Sequence, residues 1–195
     1  GIGGIGGIGG IGGIGGDGGG GGAEGAGGLK DLSNVLDPNK VVAGGFSFGA
    51  ATAGLAASTD EAGKPCTKYC AAVLIDGWWH IALKKAKVNV DLPRQAHERG
   101  ISIPSLFIGS DEFQGYADLK DGTDRLQAKV PDKSVHVMSG TRHGNFMDAI
   151  WWLPKWVTCN LGFSGKTVDP HQTYAEFVGM VADFVDERAD RASAK

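Results

Sequence analysis

The chain has 195 residues, enough for one domain with a tail, and its 19 basic and 22 acidic side chains leave a formal net charge of −3. That balance excludes a dedicated nucleic-acid binder, which gathers Lys and Arg into a basic patch. Three cysteines are too few for a disulfide scaffold; Cys66, Cys70 and Cys159 read as ordinary thiols, because Cys66 and Cys70 lack the second ligand pair that a zinc site needs.

Residues 1–28 stand apart in composition. Ile2, Ile5, Ile8, Ile11 and Ile14 recur in a glycine background that then becomes almost pure glycine. Five isoleucines bury too little surface to offset the backbone entropy of so much glycine, so a disordered low-complexity tail is expected. It is no phosphate-binding loop, since no strand precedes it and no Lys-Ser or Lys-Thr pair follows it. The globular part is expected to begin at Leu29, giving a division into 1–28 and 29–195. No run of about 18 apolar residues occurs, so no membrane-spanning helix is expected. Nor does a basic stretch followed by an apolar core open the chain, so a signal peptide is either absent or outside this sequence.

Beyond Leu29 two patterns alternate. Short apolar runs at 41–44, 71–75, 105–108 and 134–138 read as strands, and 48–58, 119–130, 146–157 and 171–191 read as helices. In the last of these, Tyr174, Phe177, Val178, Val181, Phe184 and Val185 form one apolar stripe, the mark of a helix docked on a core. Strands alternating with helices predict an α/β fold with a parallel sheet covered on both faces. In such a sheet, chemistry collects at the carboxyl ends of the strands.

Against that frame the stretch "GGFSFGAAT" stands out. Gly-x-Ser-x-Gly is short enough to arise by chance in a glycine-rich chain, but here it lies between a strand and a helix, the setting of a nucleophile elbow. The sharp turn needs neighbours without bulky Cβ atoms, which Gly45 and Gly49 supply, and Ala50, Ala51 and Ala53 allow the helix to approach the sheet. The Phe48 N–H, at the helix start, is placed to donate to an oxyanion.

A serine nucleophile needs a base, and the base an orienting acid. Among five histidines, His136 falls within a strand, and His97 and His171 fall in polar helical surroundings and read as surface. His143, in "SGTRHGNF", follows the fourth strand on a loop entering a helix, which gives the chain order serine, acid, histidine. Two aspartates end strands: Asp76 closes "AAVLID" and Asp111 follows "LFIGS". Geometry read from sequence leaves both open. Trp151, Trp152 and Trp156 form a separate stripe broken by Pro154; aromatics usually bury, so packing against the sheet is the expectation, with an interfacial or acyl-binding patch as the functional reading.

The motifs "GGFSFGAAT", "LIDGWW", "IPSLFIGSDEFQ" and "GTRHGNFMD", with the closing "GFSGKTVDPHQTYAEFVGMVADFV", resemble in order and spacing the platelet-activating-factor acetylhydrolases of the lipoprotein-associated and intracellular type II kind. The resemblance covers about residues 29–190. It implies an α/β-hydrolase fold and calcium-independent cleavage of short or oxidised sn-2 acyl chains of phospholipids, with no metal or organic cofactor. It also implies contact with a membrane or lipoprotein surface. On the matching positions, Ser47 is the nucleophile, Asp76 the acid and His143 the base, and Trp78 is an aromatic beside the site. The resemblance favours Asp76 over Asp111. Trp78 and Trp79 are expected at the substrate pocket, although Trp79, His80 and Ile81 depart from the family pattern, which has further apolar residues and a proline there. The alternatives are another esterase or polyester hydrolase on the same fold, or a non-catalytic remnant.

One further departure concerns the start of the chain. An α/β-hydrolase places several strands before the elbow, and a loop among them gives the second oxyanion N–H. Only 29–40 intervenes here. The elbow strand is therefore expected at an exposed edge, and the chain is expected to be a fragment, or a misassembled gene product, that catalyses poorly and folds weakly alone.

Overall fold

The computed structural model describes residues 37–60, 63–79, 81–83, 88–90 and 98–193, with backbone only for 81–83, 88–90 and 189–193. The compact unit spans Asp37–Lys195. The expectations for the glycine-rich tail, for His80 and for His97 lie outside the described residues.

Four strands form one sheet: β1 (Val42–Phe46), β2 (Ala71–Ile75), β5 (Ser105–Ser110) and β6 (Lys133–Met138). Their order is β1-β2-β5-β6 and every pairing is parallel. Between β2 and β5 lies a two-stranded antiparallel ribbon, β3 (Ile81–Leu83) with β4 (Val88–Val90), that no sequence pattern foretold. The helices are α1 (Phe48–Ala56), α2 (Asp111–Gln114), α3 (Ala117–Ala128), α4 (Ala149–Trp152), α5 (Lys155–Asn160) and α6 (Pro170–Ser193), with a 3₁₀ turn at His143–Phe146. This is the parallel α/β sheet with flanking helices that the alternating pattern predicts.

The two faces of the sheet are sorted by the period-two alternation of its strands. Ala72 and Leu74 of β2 point into one cluster with Ala50, Ala51 and Ala53 of α1 and Leu126 of α3. Ala71 and Val73 point into the other, with Leu106, Ile108, Phe146 and the α6 residues Phe177 and Phe184. Both faces of β2 are buried, as a central parallel strand requires. The apolar stripe of α6 packs as its spacing predicts at Tyr174, Phe177, Val181, Phe184 and Val185, whereas Val178 at its margin is exposed. Below the sheet, Arg188 of α6 grips the Asp132 carboxylate through Nη1 and Nη2 at 2.9 and 3.0 Å, just before β6 begins.

Trp79 departs from the expectation that it lines a substrate pocket. It is 1% exposed, and its indole N–H donates to Thr123 Oγ1 of α3 at 2.9 Å. Gly54 of α1 and Gly122 of α3 both lie against this side chain, where a Cβ on Gly54 would come within 3.3 Å of the ring and one on Gly122 within 3.1 Å of the Trp79 Cβ. Trp79 is a wedge between two helices, and the two glycines make room for it.

The expected helix at 146–157 is divided instead. Pro154 removes a backbone donor and biases Leu153 to an extended conformation, so α4 stops at Trp152 and α5 begins after the proline. The tryptophans of this region also correct an expectation. Trp151, Trp152 and Trp156 are not packed against the sheet; they are 53%, 82% and 69% exposed. Trp151 meets the rings of His171 and Tyr174 of α6 edge-on. No helix among the described residues is long and apolar enough to cross a membrane.

The strand β1 pairs with β2 alone among the described strands, so it lies at an edge, as expected. All three cysteines are free thiols. Cys66 and Cys70 pack against opposite faces of the sheet, one with the α1–α3 cluster and the other with the α6 cluster.

Candidate active site

Parallel strands bring their carboxyl ends to one rim, and three consecutive strands deliver polar side chains there. Ser47 follows β1, Asp76 follows β2, and Ser110 ends β5. Ser47 has φ 58° and Asp76 φ 44°, and they are the only non-glycine residues with positive φ among the described ones. Backbone in this region costs on the order of 1–3 kcal/mol per residue and persists where the surroundings enforce it. Here hydrogen bonds that tie the first turn to the second, and the second to β5, enforce it. The Ser47 N–H donates to Ile75 O at 3.0 Å, the Trp78 N–H to Ser47 O at 3.1 Å, and the Asp76 N–H to Ile108 O at 2.6 Å.

The glycines of the elbow prove unequal. A Cβ on Gly45 would lie 2.1 Å from both Gly49 C and Gly49 O, so only glycine fits there. A Cβ on Gly49 would meet nothing within 4 Å. The expectation that both must lack a side chain holds for Gly45 and is corrected for Gly49, because the turn brings the start of α1 over Gly45 and leaves Gly49 on the outer side. The Ala50 and Ala51 N–H groups close on Ser47 O, leaving the Phe48 and Gly49 N–H without an intrahelical acceptor beside the serine.

His143 bridges the other two residues. Its Nε2 lies 3.0 Å from Ser47 Oγ and its Nδ1 lies 2.7 Å from Asp76 Oδ2. A buried carboxylate accepts only, so Nδ1 carries the hydrogen and Nε2 is left to accept the Ser47 hydroxyl proton. Asp76 is almost fully enclosed, its side chain 1% exposed, whereas that of His143 is 21% exposed. Asp111, the other aspartate weighed from sequence, lies elsewhere: it is exposed and its carboxylate accepts from the Gly140 N–H.

Two residues that sequence reasoning passed over complete the arrangement. The Ser110 N–H donates to Asp76 Oδ1 at 2.7 Å, and its hydroxyl reaches Oδ1 and Oδ2 at 3.0 and 2.8 Å, while also accepting from the Phe113 N–H at 3.1 Å as the cap of α2. The readable signal was the Ser-Asp-Glu helix start, a capping pattern, but its second duty to Asp76 needed the third dimension. Glu112 Oε2 accepts the backbone N–H of His143 at 2.9 Å, and the Glu112 N–H donates to Thr141 O at 3.3 Å, so α2 holds the histidine loop at two points. At the rim, Phe48 and Trp78 stack with centroids 5.0 Å apart and stand 44% and 39% exposed, an apolar flank beside the serine.

The family model for platelet-activating factor acetylhydrolase, isoform II, matches residues 24–192. The chain belongs to that family. Among solved structures, it is similar to a ferulic acid esterase from Streptomyces cinnamoneus, at 20% identity and a TM-score of 0.54 over 81% of this chain. It also matches an S-formylglutathione hydrolase from Staphylococcus aureus, at 14% identity and a TM-score of 0.33 over 64% of this chain. A comparison with curated proteins gave no match. The esterase likeness identifies the fold as that of an α/β-hydrolase. This member of the platelet-activating factor acetylhydrolase family spans 46% of that esterase's length and 53% of the hydrolase's.

Proposed function

We propose that the chain carries the nucleophile, base and acid of a calcium-independent serine esterase that removes short or oxidised sn-2 acyl groups from glycerophospholipids. The observation that carries this reading is the unbroken relay Ser47 Oγ, His143 Nε2, His143 Nδ1, Asp76 Oδ2, set on the two strained turns. Family membership supports the substrate class.

In the first half-reaction, His143 Nε2 takes the Ser47 hydroxyl proton as Oγ forms a bond to the ester carbonyl carbon. The carbonyl oxygen becomes an oxyanion facing the Phe48 N–H, and Asp76 balances the imidazolium without taking its proton. The tetrahedral species collapses, the ester C–O bond breaks, and His143 returns the proton to the departing alcohol. In the second half, His143 deprotonates water, the hydroxide attacks the acyl-serine, and the acid leaves as the proton returns to Oγ. Phe48 and Trp78 offer the flat apolar surface that an acyl chain packs on. Trp152 and Trp156 present indoles to solvent, the side chains favoured where protein meets a membrane–water boundary, and would seat the enzyme on a lipid surface.

The test has two parts. Fluorophosphonate should label the parent chain at Ser47 and leave Ser47→Ala unlabelled; labelling that persists in the alanine variant would remove Ser47 from the role. A series of phosphatidylcholines differing only in sn-2 chain length should then show kcat/KM falling as the acyl group lengthens. Indifference to chain length, with good turnover of simple aryl esters, would instead assign a general carboxylesterase.

A further inference from the structure

The imidazole of His143 is covered on both faces. The Phe113 ring lies 4.3 Å from it at an interplanar angle of 7°, and the Phe46 ring 4.5 Å away at 26°. Two rings that near and that parallel cannot share one face, so the imidazole lies between them. Trp78 closes one edge at 6.4 Å and 90°. The two nitrogens point at Ser47 and Asp76 in the plane left open. Phe46 is the residue before the nucleophile, and Phe113 is 8% exposed in the helix that Ser110 caps. The charged groups around the histidine are few. Asp76 stands at Nδ1, Glu112 at the backbone N–H, Asp111 at Gly140 N–H, and the Arg142 guanidinium turns away to Gly162 O.

From this geometry we propose that Phe46 and Phe113 are positioning residues that favour the protonated form of His143 during acyl transfer. The proposal rests on the esterase reading above. Neutral imidazole gains only stacking from its neighbours. When Nε2 takes the Ser47 proton, the ring becomes a cation between two π-faces, each with its negative quadrupole turned toward it. The attraction therefore grows as charge develops, which is the condition for lowering a barrier rather than merely binding substrate. The same pair prevents rotation about the Cβ–ring bond, so Nε2 stays on the line to Ser47 Oγ.

Fluorination separates this from packing, because it drains the ring quadrupole with little change of shape. In the full chain, Phe113 and, separately, Phe46 are replaced by mono-, tri- and pentafluorophenylalanine. The rate of Ser47 phosphonylation and kcat for p-nitrophenyl acetate are then measured beside KM. Each rate should fall stepwise with fluorine number, reaching about fivefold for one pentafluorinated ring, with KM nearly unmoved. Phe113→Leu should lose at least as much, and Phe113→Tyr should recover most of it. A flat fluorine series would overturn the proposal, even if the leucine variant were slow, because only packing would then be at work. End-point labelling reports on the underlying reading: no labelling of the parent chain at Ser47 would overturn the esterase assignment, and this proposal with it.

Discussion

At the scale of single residues, the site is a chain of hydrogen bonds whose members differ sharply in what they can lose. Asp76 holds Nδ1–H of His143 and is itself held by both the N–H and the hydroxyl of Ser110. Asparagine at 76 would present an amide donor to Nδ1 and favour the wrong tautomer. We expect Asp76→Asn to lower kcat by about 10⁴-fold with the fold intact. Asp111→Asn keeps a carbonyl for the Gly140 N–H and should change kcat little. Steady-state kinetics on the two variants check the ranking, and the reverse order would place the acid at the end of β5. Which aspartate meets His143 was not decidable from spacing, since both end strands. It becomes plain once β2 is seen to lie directly beside the elbow strand, with β5 one strand further out.

At the scale of elements, the elbow depends on how closely α1 folds back over the end of β1. Alanine at 45 would place its Cβ inside the peptide of Gly49, whereas alanine at 49 meets open space. Gly45→Ala should abolish fluorophosphonate labelling and broaden or erase the unfolding transition. Gly49→Ala should label at the parent rate and be neutral or stabilised by up to about 1 kcal/mol, since alanine costs a helix less entropy than glycine. The start of α6 gives a second prediction. Asp169 precedes Pro170, and its carboxylate accepts from the His171 and Gln172 N–H groups at 2.9 and 3.0 Å. Those bonds, led by that from Gln172, hold its carboxyl below the ordinary aspartate range. A lowered folded value means stability that is present above the unfolded aspartate's titration, at about pH 4, and lost as the pH falls through the folded value. Asp169→Ala should therefore melt lower than the parent at pH 7, and the gap should close as acid protonates the parent. Thermal melts across pH 2–7 measure it; a constant gap would show that the cap works without its charge.

At the scale of the molecule, the sheet is asymmetric in protection. β2 and β5 have neighbours on both sides and both faces covered, whereas β1 is paired on one side among the described residues. β6 closes the other margin with Val135 and Val137 43% and 46% exposed. Amide hydrogen exchange should rank the strands accordingly, with Leu74 and Phe107 slowest and Ala43 and Val137 much faster. Uniform protection across the four strands would mean that something covers the margins.

The sequence by itself determined the local and periodic features. Short apolar runs located the four sheet strands within a residue or two, the apolar stripe located α6, and Gly45-Phe46-Ser47 between strand and helix located the elbow. These were legible because each is written in consecutive residues, where backbone preference and side-chain spacing act directly. The motif series also carried the family. What only the tertiary structure decided involves partners far apart in the chain. The relay from Ser47 to His143 spans 96 positions, and the choice of Asp76 over Asp111, the grip of Ser110 on Asp76, and the Phe46–Phe113 sandwich all depend on which strand lies beside which. The same cause separates the two neighbouring tryptophans: Trp78 stacks on Phe48 at the rim, while Trp79 wedges between α1 and α3, which only the fold brings together. Trp152, which hydrophobicity alone placed inside, stands 82% exposed, because the placing of the short α4 on the body decides which of its side chains is covered.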